Sequence, residues 1–384
     1  MDQEKMMEQV FTEGEQELYD RHFSLRGFGE EAQRKLKKGK VLVVGAGGLG
    51  SPLLLYLAAA GVGQIGIIDF DKVDASNLHR QVIFDEKQVG MPKVQAAKKR
   101  LQGINPFIEI ETYEERLTTG NAMEIIRQYE VVADGSDNFP TRYLVNDACV
   151  LAGKPNVYGS IFQFEGQVSV FNYKDQDGKW GPNYRDLYPS PPPAGLVPNC
   201  AETGVLGVLP GIIGSMQALE VIKVLTGIGT VMGGKMWLFD ALAFESRLFK
   251  IKRKPDNPLN GNHPSITGLI DYEAFCGLKQ EYGVKSISVE GLQDLKNAKE
   301  DFLLVDVREI HEFRRKNMGG KLMPLSELDE FQAQIPKHKK VIIHCETGVR
   351  SEAAINRLEK QYGFTNLYNL KGGIKAFLSK FPAS

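Results

Sequence analysis

Cysteine is scarce in this chain: four among 384 residues, at positions 149, 200, 276 and 345, with no C-x-x-C pair. That spacing gives no support to a disulfide framework or a four-cysteine zinc site, and it leaves packing as the default role of each thiol. An excess of charge of one sign is missing too. With 47 Lys and Arg against 48 Asp and Glu, the formal net charge is -1, so nothing global draws the chain to nucleic acid or to an anionic membrane, and we expect neither as a partner. There is no internal repeat and no low-complexity tract. The opening MDQEKMMEQ puts charge where an export signal needs an apolar core, which leads us to expect a cytoplasmic protein. Residues 41–68 lack every Asp, Glu, Lys and Arg, a length that passes for a membrane span. Six glycines within residues 41–63, together with Pro52, argue instead for strand, turn, helix and second strand. The apolar run GVLGVLPGIIG, residues 204–214, is followed by Gln217, Glu220 and Lys223 before it is long enough to span.

What is present is ordinary soluble composition, 42% hydrophobic and 25% charged, in a length that suggests two or three domains. From residue 40 onward KVLVVG, IGIIDF, FIEIET, VVADGS and NVYGSI alternate with helix-like segments. This predicts a mainly parallel α/β sheet covered by helices. Gly166 to Asn172, KMWLFD and ESRLFKI read as further strands, and a helix is predicted near residues 212–226. PSPPPAGLVP, residues 189–198, holds five prolines, which withhold amide hydrogens from helix and sheet and predict a surface connection. KRKPDNPLNGNHPS, residues 252–265, starts a linker, and a second alternating unit with FLLVDV and VIIHC begins near Ser286. The predicted division is therefore a first domain over 1–251, a linker over 252–283 and a second domain over 284–384.

VLVVGAGGLGS, residues 41–51, reads as a buried strand, a glycine-rich turn and the start of a helix. Gly45, Gly47 and Gly50 fit G-x-G-x-x-G, which serves a tight turn, close backbone approach to a phosphate and close helix-strand packing. The pattern alone is weak, because glycine turns also arise for packing. Asp69, 24 residues after Gly45, is placed to accept hydrogen bonds from ribose hydroxyls, which suits NAD and ATP equally. Asn77, Arg80 and Gln81 in ASNLHRQ, Lys93 in MPKVQAA and Asp137 in ADGSDNFPTR discriminate between them. Hydride transfer needs a flat apolar pocket, whereas attack at a phosphate needs cations to spread developing charge and a carboxylate to hold magnesium. The set suits phosphate chemistry.

GAGGLGS, DFDKVDASNLHRQ, GMPKVQAA and DGSDNFPTR, in this order and spacing, resemble the adenylyltransferases of molybdopterin-synthase and thiamine sulfur carriers, relatives of the ubiquitin-activating enzymes, over about residues 15–250. The resemblance implies a Rossmann-like adenylation domain that works as a homodimer with ATP and Mg2+. Its reaction would be attack by the C-terminal glycine carboxylate of a ubiquitin-like carrier ending in Gly-Gly on the ATP α-phosphate. By the same resemblance Gly45, Gly47 and Gly48 approach the phosphates and Asp69 the ribose, with Asp71 and Asn138 beside them. Asn77, Arg80, Gln81 and Lys93 contact or neutralise the triphosphate, and Asp137 organises magnesium. LYDRHF, residues 18–23, resembles an arginine motif that reaches the partner subunit's ATP site, so Arg21 would act in trans; His22 stands where the family usually has Gln. Most such relatives hold structural zinc with two C-x-x-C pairs. Here those places fall at NYRD, residues 183–186, and NPLNGNH, residues 257–263, without cysteine, so we expect no structural zinc and a more mobile lobe.

Two cysteines stand out. Cys200, in VPNCAETGVLG, follows the proline-rich connection, where the resemblance places a reactive thiol that takes the acyl group or a mixed acyl-disulfide. VIIHCETGVRSEAA around Cys345 reads as strand, loop and helix N-terminus, an arrangement that aims backbone amides at an anionic sulfur. The spacing from Cys345 to Arg350, with LLVDVREIHEF and NLKGGIKAF around it, resembles the active loop of rhodanese-type sulfurtransferases over about residues 284–382. The matching cysteine there carries sulfane sulfur as a persulfide. Tyrosine phosphatases use one more residue between Cys and Arg, which makes phosphatase the weaker reading. Asp306 and Arg308 read as structural ties, and Glu346 inside the loop disfavours thiosulfate, pointing to a protein persulfide donor such as a cysteine desulfurase. Joined, the halves would adenylylate a carrier and then give it sulfur as a thiocarboxylate. The rivals are a ubiquitin-like activating enzyme that forms a thioester for conjugation, an NAD oxidoreductase fused to a sulfurtransferase, and a non-catalytic adaptor.

Overall fold

The computed structural model describes residues 10–192, 204–277 and 284–381. They fall into two compact units, one holding the residues up to Pro191 and from residue 204 to Phe275, the other Pro192 and the residues from Cys276 onward.

In the first unit the alternating segments become strands β1 (Lys40–Val44), β2 (Gln64–Ile68), β3 (Glu109–Tyr113), β4 (Val131–Asp134), β5 (Asn156–Phe162), β6 (Glu165–Phe171), β7 (Lys235–Asp240) and β8 (Glu245–Lys250). They form one sheet in the order β3-β2-β1-β4-β5-β6-β7-β8. Pairing is parallel from β3 across to β5 and antiparallel from β5 to β8. The central strands read as continuous apolar runs because helices cover both faces: Val41, Leu42 and Val43 of β1 are wholly buried, as are Val131, Val132 and Ala133 of β4. The chain leaves β1 toward β2 on one side and returns to β4 on the other. A reversal of this kind opens a crevice beyond the carboxyl ends of the strands, between β1 and β4.

The helix Val208–Thr226 is long and apolar enough to cross a bilayer, yet its polar side chains are used inside the unit. Gln217 is wholly buried, and its Nε2 donates to the carbonyls of Asp134 at 2.8 Å and Val157 at 3.1 Å, seating the helix across β4 and β5. Glu220, also buried, pairs with Lys223 and accepts from the Met232 amide.

The stretch read as a linker is, up to Phe275, part of the first unit instead. The reason lies in buried polar contacts that composition does not reveal. The Arg185 guanidinium forks onto Asp147, Nε to Oδ1 at 2.8 Å and Nη2 to Oδ2 at 2.7 Å, while the Tyr272 hydroxyl donates to the same Oδ2 at 2.9 Å. Nearby, Asp186 accepts from the amides of Asn183 and Lys254 at 2.7 and 2.8 Å, and Asn183 Nδ2 donates to Asn260 Oδ1 at 3.1 Å. These bonds join the two stretches where the resemblance places zinc pairs, so the lobe expected to be loose carries a cross-link of its own. Removing one partner of a buried ion pair such as Arg185 with Asp147 costs about 3–5 kcal/mol. Among the described residues no group of three or more His, Cys, Asp and Glu is set to hold a metal ion.

The second unit is built on β9 (Ser286–Ile287), β10 (Phe302–Asp306), β11 (Lys321–Leu322), β12 (Lys340–His344) and β13 (Leu367–Leu370), in the order β11-β10-β12-β13-β9. Every pairing is parallel. Val305, Val341, Ile343, Leu358 and Leu367 form its core on one side, and Leu292, Ile342 and Leu370 on the other.

Candidate functional site

The crevice at the β1/β4 reversal is a cavity of about 310 Å³. The strand ends position its walls: Val44 from β1, Ile68 from β2 with Asp69 directly after it, and Gly135 to Asn138 after β4. Gly45 takes φ +91°, and a side chain on Gly50 would meet the Gly45 carbonyl oxygen at 2.0 Å. The first glycine therefore permits the turn, and the third lets the helix Gly50–Ala60 start directly against it. Gly47 and Gly48 remain on the cavity wall.

Around this turn the structure brings together Asp69, Asp71, Asn77, Arg80, Gln81, Lys93, Asp137 and Asn138. Asp69 accepts from the amides of Ala46 and Asp71, both at 2.8 Å, which ties the second strand to the glycine turn. Burial raises its pKa, against the opposing pull of Lys93 and of those amides. Lys93 is buried, with Nζ 2.9 Å from Asp71 Oδ2. It occupies the first residue of the helix Lys93–Gln102, where a cation opposes the helix dipole, so helix stability does not account for its type. Asn77 Oδ1 accepts from Arg80 Nη2 and Gln81 Nε2, both at 2.9 Å, which fixes two donors at the mouth. Asp137 is exposed, and Asn138 Nδ2 lies 3.4 Å from its Oδ1. Asn138 caps the helix Phe139–Ala152 by accepting from the Thr141 amide at 3.0 Å.

The cavity also holds Arg116 and Arg142, which the sequence reading did not single out. Arg142 closes the quoted motif DGSDNFPTR, and its burial alongside Tyr158 marks it as more than a solvated charge. Arg116, stacked 4.0 Å over the Phe70 ring, follows β3 with no motif around it. Arg21 is placed elsewhere, on the helix Glu13–Phe23 with its side chain 94% exposed, and does not line its own chain's cavity. His22 faces inward, with Nδ1 2.8 Å from Gln33 Oε1 and its ring against Phe28. Cys200 lies outside the described residues. Cys149 and Cys276 are buried, and burial pushes the Cys149 thiol well up, which fits packing.

In the second unit Cys345 follows β12 directly and is 1% exposed. The loop turns through Gly348 at φ +103° into the helix Val349–Tyr362, and the Gly348 amide donates to Cys345 Sγ at 3.2 Å. Arg350 is held from a distant helix: its two terminal nitrogens meet the two Glu312 oxygens at 2.7 Å each. Burial draws the Glu312 carboxyl upward, but the Arg350 bonds and the Glu309 amide leave it lowered overall. Arg308 forks onto Asp306 and reaches Glu346 at 3.2 Å, tying the end of β10 to the loop.

His344, just before the cysteine, is wholly buried, with Nε2 3.8 Å from Asp306 Oδ2 and no closer side-chain hydrogen bond to its ring among the described residues. Burial lowers its pKa to about 4, against the opposing pull of Asp306. An unfolded chain titrates histidine near pH 6.5 and so binds this proton first as pH falls. Its neutral burial is fully favourable above that value and is lost on going down to pH 4, a contribution of about 3 kcal/mol. Thermal unfolding of the second unit should therefore drop more steeply with acid in the parent chain than in His344→Leu. Equal slopes would remove His344 as the cause.

Comparison with known proteins gives two family matches, the ThiF family over residues 19–260 and the rhodanese-like domain over residues 288–380. The probable adenylyltransferase/sulfurtransferase MoeZ of Mycobacterium tuberculosis is 45% identical over 367 residues, covering 94% of this chain and 92% of that protein. The sulfur carrier protein adenylyltransferase of Thermus thermophilus is 53% identical over 269 residues, covering 70% of this chain and 99% of that protein. The crystal structure of E. coli MccB with MccA-N7isoASN shares the fold, with a TM-score of 0.57 at 22% identity over 64% of this chain and 75% of that one. This chain thus belongs to the ThiF family, as an enzyme that joins an adenylyltransferase domain to a C-terminal rhodanese-like sulfurtransferase domain.

Proposed function

We propose that the first unit adenylylates the C-terminal glycine of a ubiquitin-like sulfur carrier ending in Gly-Gly, and that the second supplies the sulfur that turns it into a thiocarboxylate. The observation that carries this reading is the pairing, in one polypeptide, of a cavity that gathers Gly47, Arg80, Lys93 and Asp137 with a loop that holds a cysteine sulfur under a backbone amide. A carboxylate is a poor electrophile. Attack on the ATP α-phosphate releases pyrophosphate and leaves a mixed anhydride with AMP, which a sulfur nucleophile opens.

In this reading the glycine turn and the start of the helix Gly50–Ala60 face the phosphates with backbone amides. Lys93, Arg80 and Arg142 offset charge as the bond to pyrophosphate breaks. Asp137 offers an exposed carboxylate at the cavity edge, the hard oxygen donor that suits Mg2+ shared with substrate phosphates. Cys345 takes a sulfane sulfur from a protein persulfide, for which a cysteine desulfurase is our candidate. The terminal sulfur attacks the acyl-adenylate, AMP leaves, and an acyl-disulfide forms. A thiol, for which Cys200 is our candidate, then attacks the Cys345 sulfur, releasing the thiocarboxylate and leaving a disulfide for cellular thiols to reduce. We further propose a cytoplasmic homodimer in which Arg21 reaches the partner's nucleotide, consistent with its exposure and its distance from its own cavity. Molybdopterin and thiamine synthesis are the pathways in view.

The test is ATP-pyrophosphate exchange with candidate Gly-Gly carriers, followed by carrier mass. Exchange and a gain of one sulfur for one oxygen are expected, with the gain, but not the exchange, lost in Cys345→Ala. A stable Cys200 thioester without thiocarboxylate would transfer the reading to a conjugation enzyme.

A further inference from the structure

Ser351, in the first turn of the helix Val349–Tyr362, is wholly buried. Its hydroxyl oxygen lies 2.7 Å from Asn369 Oδ1, 3.1 Å from the Gly348 carbonyl oxygen and 3.6 Å from Cys345 Sγ. One hydrogen thus faces three acceptors. Asn369, on β13, donates from Nδ2 to the Gly348 carbonyl at 3.0 Å, so the same side chain that receives the serine also braces the loop whose amide points at the sulfur. Among neutral groups the amide oxygen, being closest, takes the hydrogen. A thiolate or persulfide anion changes that ranking, because a hydrogen bond to an ionised acceptor is roughly twice as strong as one between neutral groups.

We propose that Ser351 is a catalytic residue whose hydroxyl turns from Asn369 to the Cys345 sulfur when that sulfur becomes anionic, and so holds it in its nucleophilic form. Together with the Gly348 amide it gives the buried sulfur two donors. Asn369 is a positioning residue: it receives the hydrogen in the thiol state and keeps the serine from leaving the site. The inference rests on Cys345 being the sulfur-carrying residue.

The test follows ionisation of Cys345 in the full chain through the ¹³Cβ signal of labelled cysteine, identified by its loss in Cys345→Ser. In Ser351→Ala the titration midpoint should move up by about one pH unit, the tenfold loss expected when a donor to an ionised group is removed. Ser351→Thr, which keeps the hydroxyl, should return it to the parent value. A midpoint that stays put in Ser351→Ala, or moves equally in Ser351→Thr, overturns the proposal. The measurement needs neither carrier nor sulfur donor, so a shift seen in a chain that fails to thiolate any carrier would sustain the role of Ser351 while the transfer reading fell.

Discussion

Lys93→Ala should depress carrier-dependent ATP-pyrophosphate exchange by about 10²–10³-fold, the usual cost of removing a preorganised group aimed at developing charge. The residue is buried, fixed by Asp71 at 2.9 Å, and set at the wall of the cavity that also holds the glycine turn. Its removal acts twice. In the proposed reaction the cation that would offset the leaving pyrophosphate is gone, and Asp69 loses the charge that opposes the upward push of burial on its carboxyl. A weakened Asp69 is a poorer acceptor for ribose hydroxyls, so nucleotide binding should suffer along with the chemical step. Arginine should not restore the rate, since a planar fork does not replace a compact ammonium in a site this enclosed. Sulfur loading of Cys345, carried by the other unit, should continue at the parent rate, which separates a site effect from misfolding. Exchange within a few-fold of the parent would remove Lys93 from the chemistry.

Legibility in the sequence followed physical locality. The strands of the first unit announced themselves in the sequence, most of them as short apolar runs bounded by turn residues, and β10 and β12 did so in the second. The two-residue strands β9 and β11 carry too few side chains for any period to show. Residues 252–265 read as linker because proline, glycine and charge dominate them. What fastens the stretch around them is a set of partners far away in sequence: Asp186 for Lys254, Asn183 for Asn260 and Asp147 for Tyr272. At the glycine-turn cavity Gly45 and Asp69 stood out by spacing and Lys93 by the motif around it, while Arg116 had no motif to mark it. Around Cys345 the short distance to Arg350 was visible, but Arg350's commitment to Glu312 was not, since 38 residues separate the two. Helix phase alone does not say which of several nearby acids a guanidinium will choose.

That commitment leads to the second large effect. Glu346→Ala combined with Glu312→Gln should raise thiosulfate sulfurtransferase efficiency about ten- to hundredfold. As the loop stands, Arg350 pairs with Glu312, and Arg308 with Glu346 as well as Asp306. A doubly charged anion approaching Cys345 meets Glu346, whose side chain is 48% exposed. At about 4 Å and an effective dielectric near 20, two like unit charges cost about 4 kcal/mol, and a dianion about twice that. Exposure and salt reduce this to roughly 1.5–3 kcal/mol, and each 1.4 kcal/mol is a factor of ten. Removing the Glu346 charge lifts the repulsion. Neutralising Glu312 leaves its side-chain geometry and its bond to the Glu309 amide in place, while releasing the Arg350 charge to attract the anion. A protein persulfide donor presents its sulfur without the sulfonate charge and should respond far less, so the ratio of the two donor efficiencies is the quantity to measure. Should that ratio stay fixed, the paired charges at the loop do not select the donor, and preference for a protein source must arise from contacts beyond the loop.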